Sequence, residues 1–173
     1  MQETRVWRAL LGLKNTVVEG VEFDEPEGVV VVHVRPTASR RGRCGTCRRR
    51  SPGFDHGDGR RRWRALDLGT VQAFVEAEAP RVSCRRHGVT VAAVPWARHG
   101  AGHTRDFDDT VAWLATVTSK TAVTRLMRVA WRTVGSIVTR VWADTGGAVD
   151  RLEGLARIGI DEISYRRGQQ YLT

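Results

Sequence analysis

The chain reads Cys44-Gly45-Thr46-Cys47 at about a quarter of its length and Cys84-Arg85-Arg86-His87 near its middle. Each motif leaves two residues between a pair of side chains that ligate metals, a spacing that lets a tight turn aim both at one ion. Zn2+ accepts three thiolates and one imidazole in a tetrahedral arrangement. We therefore predict a structural zinc site whose ligands are Cys44, Cys47, Cys84 and His87.

Other assignments of these residues stay open at this point. Cys44 and Cys47 could form a redox pair, but a redox C-x-x-C motif normally opens a helix, and residues 48–52 offer none. Three further histidines compete for the fourth ligand position, although none has a cysteine at short spacing: His56, His99 and His103. A catalytic zinc keeps one position for water, so a set of four protein ligands indicates a structural metal.

The 36 residues between Cys47 and Cys84 predict a small sheet. Two β-rich segments, Arg61 to Leu68 and Val71 to Arg81, flank Gly69, and the second alternates apolar and polar residues as a half-buried strand does. We expect a zinc-ribbon-like or treble-clef-like layout in which the metal joins the ends of this sheet. In the two knuckles, Gly45 and Gly88 are expected to supply positive φ angles.

The segment before the first cysteine pair predicts a short helix and a hairpin. Thr4 to Leu13 has helical spacing that should bury Val6, Leu10 and Leu13. Thr16 to Phe23 and Val29 to Arg35 read as strands around a turn containing Pro and Gly. Residues 1–100 are therefore predicted to form a β-rich zinc-binding domain, with 88–103 a linker that packs through Trp96.

From Thr104 onward the apolar period becomes helical and predicts a three-helix bundle over 104–145. Thr104 is the expected N-cap of the first helix, and Asp106, Asp108 and Asp109 suit the positive end of its dipole. The predicted buried positions are Phe107, Val111, Leu114, Ala115 and Thr118, then Ala122, Val123, Leu126 and Met127, then Val134, Ile137, Val138, Val141 and Trp142. Gly146-Gly147 is a helix stop.

Two of these helices have the pattern of a helix-turn-helix, in which the second helix enters the DNA major groove. Off its apolar face the third helix carries our candidate contacts to bases or backbone: Arg132, Thr133, Ser136 and Arg140. Periodicity alone equally allows a plain three-helix core with a polar outer face. Trp113 and Trp131 are interpreted as packing or interface residues.

The positive charge of the chain is concentrated in one window. The net charge is +9, and residues 40–64 hold ten Arg against two Asp, which makes that window +8. Such a cluster favours phosphate contacts through counterion release, with Arg48, Arg49 and Arg50 as candidates and double-stranded DNA as the partner. A solvated face or the bias of a GC-rich genome is the alternative, since only two of the 28 basic residues are Lys.

The sequence contains no apolar run of the length that a membrane span needs, and its amino terminus lacks the uninterrupted core of a signal peptide. Three cysteines are an odd number, which argues against a disulfide framework. We expect a cytoplasmic bacterial protein associated with the nucleoid and no membrane partner.

Near the end of the chain a carboxylate follows an apolar strand. Leu155 to Ile160 reads as the strand, Asp161 follows it, and Gln169 to Thr173 reads as a returning strand after a tight turn. Strand-borne carboxylates hold Mg2+ in two-metal nucleases. One acidic residue on a strand is weak evidence by itself.

Four elements occur in a recognisable order: the paired cysteine and histidine motifs, Val94-Pro95-Trp96-Ala97-Arg98, the helix-turn-helix, and the segment Ile158 to Tyr171. In this order the chain resembles the transposases of the zinc-finger-bearing ISL-three insertion-sequence group. The resemblance implies a zinc finger and helix-turn-helix that recognise the element's terminal inverted repeats. It also implies a ribonuclease-H-like DDE domain, dependent on Mg2+, that cuts and joins DNA.

By this resemblance Asp161 is the first DDE carboxylate and residues 155–173 begin a truncated catalytic domain. The sequence ends before the other two carboxylates, so we expect this chain to lack enzymatic activity and Asp161 to be idle. The predicted fold class is α+β with several modules, and a homodimer is compatible with it. Two alternatives stay open: a stand-alone zinc-ribbon and helix-turn-helix regulator of transcription, and a zinc-stabilised protein-interaction module.

Overall fold

A computed structural model describes residues 2–145, 154, 156–157, 163–166 and 170–172. The chain divides into two compact units, residues 1–141 and 142–173. The helices are α1 (Gln2–Leu10), α2 (Arg105–Val117), α3 (Lys120–Met127) and α4 (Trp131–Thr145). The strands are β1 (Thr16–Asp24), β2 (Val29–Pro36), β3 (Gly53–Asp55), β4 (Arg60–Arg64), β5 (Gln72–Glu78), β6 (Arg81–Cys84), β7 (Gly88–Val91), β8 (Ile163–Arg166) and β9 (Gln170–Leu172).

The larger sheet has four strands in the order β1-β2-β5-β4. The predicted hairpin is confirmed as the antiparallel pair β1 and β2, and the two strands around Gly69 are confirmed as the antiparallel pair β4 and β5. The two pairs join through a parallel ladder in which Val30 faces Ala73 and Val32 faces Val75. The alternation of β5 therefore buries its apolar face in the core of this sheet.

The turn with Cys84 and His87 joins β6 to β7 of a separate three-stranded sheet, in the order β3-β6-β7, and Cys44 forms an isolated bridge with Ala92, just after β7. The expectation that β4 and β5 form the metal-bearing sheet was therefore wrong. The reason is that their apolar faces are shared with the β1–β2 hairpin, in a core that also contains Trp63 and Trp96 with their rings 5.5 Å apart. A strand pattern predicts a buried face but does not name the neighbour that buries it.

The amino-terminal helix is confirmed, but its predicted apolar face was wrong in two of three positions. Val6 is 53% exposed and Leu10 57%, whereas Leu13 is buried. The helix ends at Leu10 and the chain turns through Gly12, whose φ is +60 degrees. This turn directs Leu11 and Leu13, which follow the helix, into the core of the larger sheet.

The segment expected to be a linker is part of the folded unit. Its first four residues form β7, and Trp96, Ala97, Arg98 and Ala101 are buried. Trp96 packs against the core of the larger sheet as predicted. No helix in the described ranges is long and apolar enough to cross a membrane.

The three predicted helices are confirmed as α2, α3 and α4. Their shared core consists of Phe107, Val111, Val123, Met127, Val134 and Ile137. Several positions predicted to be buried are exposed because each helix is covered on a narrower stripe than the periodicity allows: Thr118, Leu126, Val138 and Trp142. Trp113 and Trp131 are also exposed, by 62% and 56%, and Lys120 Nζ lies 4.6 Å from the centroid of the Trp131 ring. Their role as packing or interface residues stays a prediction.

The second unit contains an antiparallel pair, β8 and β9, which agrees with the predicted hairpin. The predicted strand from Leu155 to Ile160 lies mostly outside the described residues. So does Asp161. The division into domains at 1–100, 104–145 and 155–173 stays a prediction.

Candidate metal centre and nucleic-acid interface

The two cysteine-containing motifs form facing turns. In the first, the backbone N–H of Arg48 donates to the carbonyl of Cys44 at 2.9 Å, and the N–H of Cys44 donates to the carbonyl of Arg49 at 2.9 Å. The second turn joins β6 to β7, with Cys84 paired with Gly88 across the ladder. Ala92, just after β7, forms an isolated bridge with Cys44 and so brings the turns together.

These turns bring together the four predicted ligands, whose ligating atoms all lie within 4.8 Å of one another. The Sγ atoms of Cys47 and Cys84 are 3.8 Å apart, and His87 Nδ1 lies 3.6 Å from Cys44 Sγ and 3.7 Å from Cys84 Sγ. A tetrahedral site with Zn–S bonds of about 2.3 Å requires S–S separations of about 3.8 Å. The donor set and its spacing therefore fit one Zn2+ ion.

The backbone of the second turn favours a thiolate. The N–H groups of Arg86 and His87 donate to the sulfur of Cys84 and lower the pKa of that thiol to about 6. At Cys47 the N–H of Arg49 acts in the same direction, but burial and the neighbouring sulfurs of Cys44 and Cys84 outweigh it and raise the pKa. Metal ligation requires the thiolate form, so one ligand is prepared for it by the fold itself.

Of the two glycines predicted to have a positive φ angle, one has it. Gly88 has φ +68, as predicted, but in the first knuckle the positive φ is at Arg48, with φ +61, and not at Gly45. Gly45 is required for space instead. A Cβ there would lie 2.5 Å from the carbonyl oxygen of Val91 and would overlap the ring of His99.

The rival histidines do not join the ligand group in the described part of the chain. His99 covers Gly45, and burial together with the charges of Arg48 and Arg61 lowers its pKa. His103 stacks on Phe107 with ring centroids 4.9 Å apart. The assignment of His87 rather than these residues agrees with the geometry.

Helices α3 and α4 have helix-turn-helix connectivity, with three residues between them. Ser119 caps α3 by accepting from the N–H of Ala122 at 3.2 Å. Arg128 ends the helix in the left-handed region, with φ 52 and ψ 48, and donates to the carboxylate of Asp67. A tight turn with one left-handed residue is typical of this motif.

The predicted contact residues differ in their accessibility on α4. Arg132 and Ser136 are exposed and lie one turn apart, whereas Thr133 is half-buried. The guanidinium of Arg140 points into the protein, where its Nη1 lies 3.1 Å from Asp108 Oδ2. Arg140 therefore has a structural partner, and its contact with DNA stays a prediction that requires this pair to open.

Asp108 is the centre of a buried charge cluster that the sequence analysis missed. It is fully buried, and it contacts Arg140 on α4, Arg98 at 3.8 Å and His103 at 3.5 Å. Asp108 lies three residues before Val111, on the buried stripe of α2, and this position could have indicated a buried carboxylate. The prediction from the sequence assigned it only to the positive end of the helix dipole. The cluster links α2 and α4 to the segment that follows the metal-bearing sheet.

A second contact that attaches the helices to the β-rich part was also absent from the sequence predictions. Asp67, in the connection between β4 and β5, accepts from Arg64 at 2.6 Å and from Arg128 in the turn of the helix-turn-helix. No local spacing rule pairs residues 61 positions apart. Together with the Asp108 cluster, this contact attaches the helical module to the β-rich part within one compact unit.

The three arginines after the first cysteine pair lie on the knuckle itself. Arg49 and Arg50 are exposed, while Arg48 is half-buried and donates to the carbonyl of Val94 at 3.3 Å. The positive charge of this part of the chain is thus presented next to the candidate metal.

Comparison with known families gives two matches. Residues 40–87 match the zinc-finger of transposase IS204/IS1001/IS1096/IS1165, and residues 92–142 match the helix-turn-helix domain of transposase family ISL3. The first match includes all four candidate ligands, and the second includes α2, α3 and most of α4. No solved structure matches the chain.

Two curated relatives, each described as the transposase for insertion sequence element IS1557, come from Mycobacterium tuberculosis strains CDC 1551 / Oshkosh and ATCC 25618 / H37Rv. Each is 59% identical over 178 aligned positions, which take in 100% of this chain and 40% of the relative. The chain thus spans less than half the length of these relatives. The two domain matches and the identity along the whole chain show that it belongs to the ISL3 family of transposases.

Proposed function

We propose that this chain is the part of an ISL3-family transposase that binds double-stranded DNA, and that it recognises the terminal inverted repeats of its element. The observation that carries the proposal is the α3–α4 helix-turn-helix, whose second helix exposes Arg132 and Ser136. It belongs to the same compact unit as the arginine-bearing knuckle. The membership in a transposase family favours this function over a stand-alone regulator or a protein-interaction module.

The metal in this proposal is Zn2+, held by Cys44, Cys47, Cys84 and His87. The separations of their ligating atoms and the match to a transposase zinc-finger support it. Four protein ligands leave no position for a reacting water, so the ion is structural. Three thiolates and one neutral imidazole give the site a charge of about −1, which the neighbouring arginines offset.

The contact residues have different proposed roles. Arg132 reads a base edge, because an exposed guanidinium early in a recognition helix can donate to guanine O6 and N7. Ser136 and Thr133 contact a base or a phosphate. Arg49 and Arg50, with the half-buried Arg48, contribute phosphate contacts from the zinc knuckle.

DNA cutting and joining are proposed for the whole transposase and not for this chain. The proposed Mg2+-binding role of Asp161 rests on resemblance alone, since Asp161 lies outside the described residues. An element with two inverted ends presents two equivalent sites, which favours a homodimer in the assembled complex. Such a complex would act at the bacterial nucleoid.

The proposal is tested by selecting bound duplexes from random DNA with the zinc-loaded chain. A single enriched motif that also occurs in the inverted ends flanking the gene is the expected result. Arg132→Ala should then weaken binding to the selected site by about 1 to 3 kcal/mol and relax the preference at one base. Arg125→Ala, an exposed arginine on α3, is the matched control. Absence of any enriched sequence would overturn the recognition proposal.

A further inference from the structure

A cavity of about 290 Å3 lies beside the first knuckle and has a strongly cationic lining. Four of its lining residues are arginines, drawn from three separate segments: Arg40 and Arg43 after β2, Arg48 in the knuckle, and Arg105 at the start of α2. Asn15, Ala93, Val94 and Pro95 complete the lining, which contains no Asp or Glu among the described residues. Several positive charges in one concavity raise the local concentration of anions.

Two of these guanidinium groups donate to backbone carbonyl oxygens. Arg43 donates to the carbonyl oxygens of Ser39 and Arg48 at 3.1 to 3.2 Å, and Arg48 donates to the carbonyl of Val94 at 3.3 Å. A carbonyl holds a guanidinium in place without cancelling its charge. The lining is therefore partly pre-organised, which reduces the entropy lost when an anion binds.

Two carboxylates at the start of α2 have arginine partners outside this lining. Asp108 contacts Arg140 at 3.1 Å, and Asp109 accepts from Arg98 at 2.6 Å. A neighbouring cavity shows the contrast. It has a similar volume of about 300 Å3, but its lining includes Glu19 and Glu78, and Glu19 pairs with Arg35 at 2.8 Å.

We propose that the cationic cavity binds one phosphodiester group of the DNA backbone, clamped between the zinc knuckle and the first helix of the helical module. This inference rests on the proposed DNA-binding function. Arg presents several N–H donors in a planar fork that matches a phosphate, and groups that contact phosphate set the position of a protein on the duplex. The cavity thereby makes the zinc-bearing sheet and the helix-turn-helix bind in one register.

The test compares the zinc-loaded wild-type chain with Arg40→Ala, Arg105→Ala and the double variant on a duplex of random sequence. Affinity is measured over a range of salt concentrations. One lost phosphate contact should lower the magnitude of the log–log salt slope by about 1, and the loss should be equal on all sequences. Arg62→Ala is the control, because it removes the same charge from the exposed face of β4, where Arg62 pairs with Glu76.

An unchanged slope in the double variant would overturn the inference, and so would an equal decrease in Arg62→Ala, which would indicate an unspecific effect of net charge. If the wild-type chain does not bind DNA at all, it is the proposed function that fails. Zinc content and circular dichroism check folding, and Arg40→Glu, at an exposed loop position, gives a second test should the double variant unfold.

Inorganic phosphate separates the two sources of this chemistry. Its titration is followed by NMR at the Nε–H of Arg43 and Arg48. Competition between phosphate and the random duplex for these signals supports the phosphodiester assignment. Saturation by phosphate with no response to DNA would assign the cavity to a free anion and overturn the proposal.

Discussion

The metal-bearing sheet and the helical bundle are stabilised by different interactions. Around β3, β6 and β7 the buried side chains are few: Val82 and two of the candidate ligands, Cys44 and Cys84. The three helices bury six apolar side chains in one cluster. A segment with so little apolar burial needs a cross-link, whereas the bundle is held by packing. The two regions should therefore respond to different substitutions.

The largest expected effect is the removal of a metal ligand. Cys84→Ser should reduce the zinc content from one ion per chain to a small fraction, because structural zinc contributes on the order of 10 kcal/mol to its fold. Metal analysis and NMR should show loss of zinc and of the dispersed signals from residues 40–92. Ser83→Ala, at an exposed position of the same strand, is the control. Full metal retention in Cys84→Ser would contradict the assignment of Cys84 as a ligand.

The converse substitution is Ile137→Ala, in the helical core. Ile137 is fully buried, so the cavity should cost about 2 to 5 kcal/mol of unfolding free energy in a denaturant titration. Zinc content should not change. Val138→Ala, at the adjacent position that is 37% exposed, should have a much smaller effect. Loss of zinc in Ile137→Ala would show that the two regions do not differ as we infer.

Asp108→Asn tests the link between the two regions. The variant leaves Arg98 and Arg140 without their buried carboxylate, and we expect a loss of about 1 to 3 kcal/mol of unfolding free energy. Asp109→Asn, whose carboxylate is 53% exposed, is the control. Hydrogen exchange should localise the effect to α2 and α4. An Asp108→Asn protein as stable as its control would contradict a structural role for the cluster.

The smallest effect is expected at the exposed pair of Asp55 and Arg81 in the metal-bearing sheet. The hydrogen bond that Arg81 donates to Asp55 lowers the pKa of this carboxyl to about 2. The lowered pKa contributes stability that is fully present above the ordinary pKa of 3.8 and is lost progressively as the pH falls from there through about 2. Between pH 6 and 8, Asp55→Asn should therefore lower Tm by a small, constant amount. An offset that changed over this range, relative to Asp58→Asn, would refute the assignment.

Local spacing was sufficient for some features and insufficient for others. The ligands, the hairpin, the alternation of β5, the Thr104 cap and the three helices follow from rules that act over a few residues, and the structure agrees with each. The faces of Val6, Leu10, Val138 and Trp142 were wrong because periodicity predicts an apolar stripe, while the neighbouring elements decide how much of it is covered.

The sequence alone determined which four side chains are the candidate ligands of one metal ion, since two-residue spacing in a turn constrains both residues of a pair. It also determined the helical module and the concentration of arginine. Only the tertiary structure decided that β4 and β5 belong to the other sheet, that Asp108 and Asp67 attach the helices to the β-rich part, and that arginines from three segments line one cavity. These contacts join residues distant in the chain, so their formation depends on how the whole unit packs.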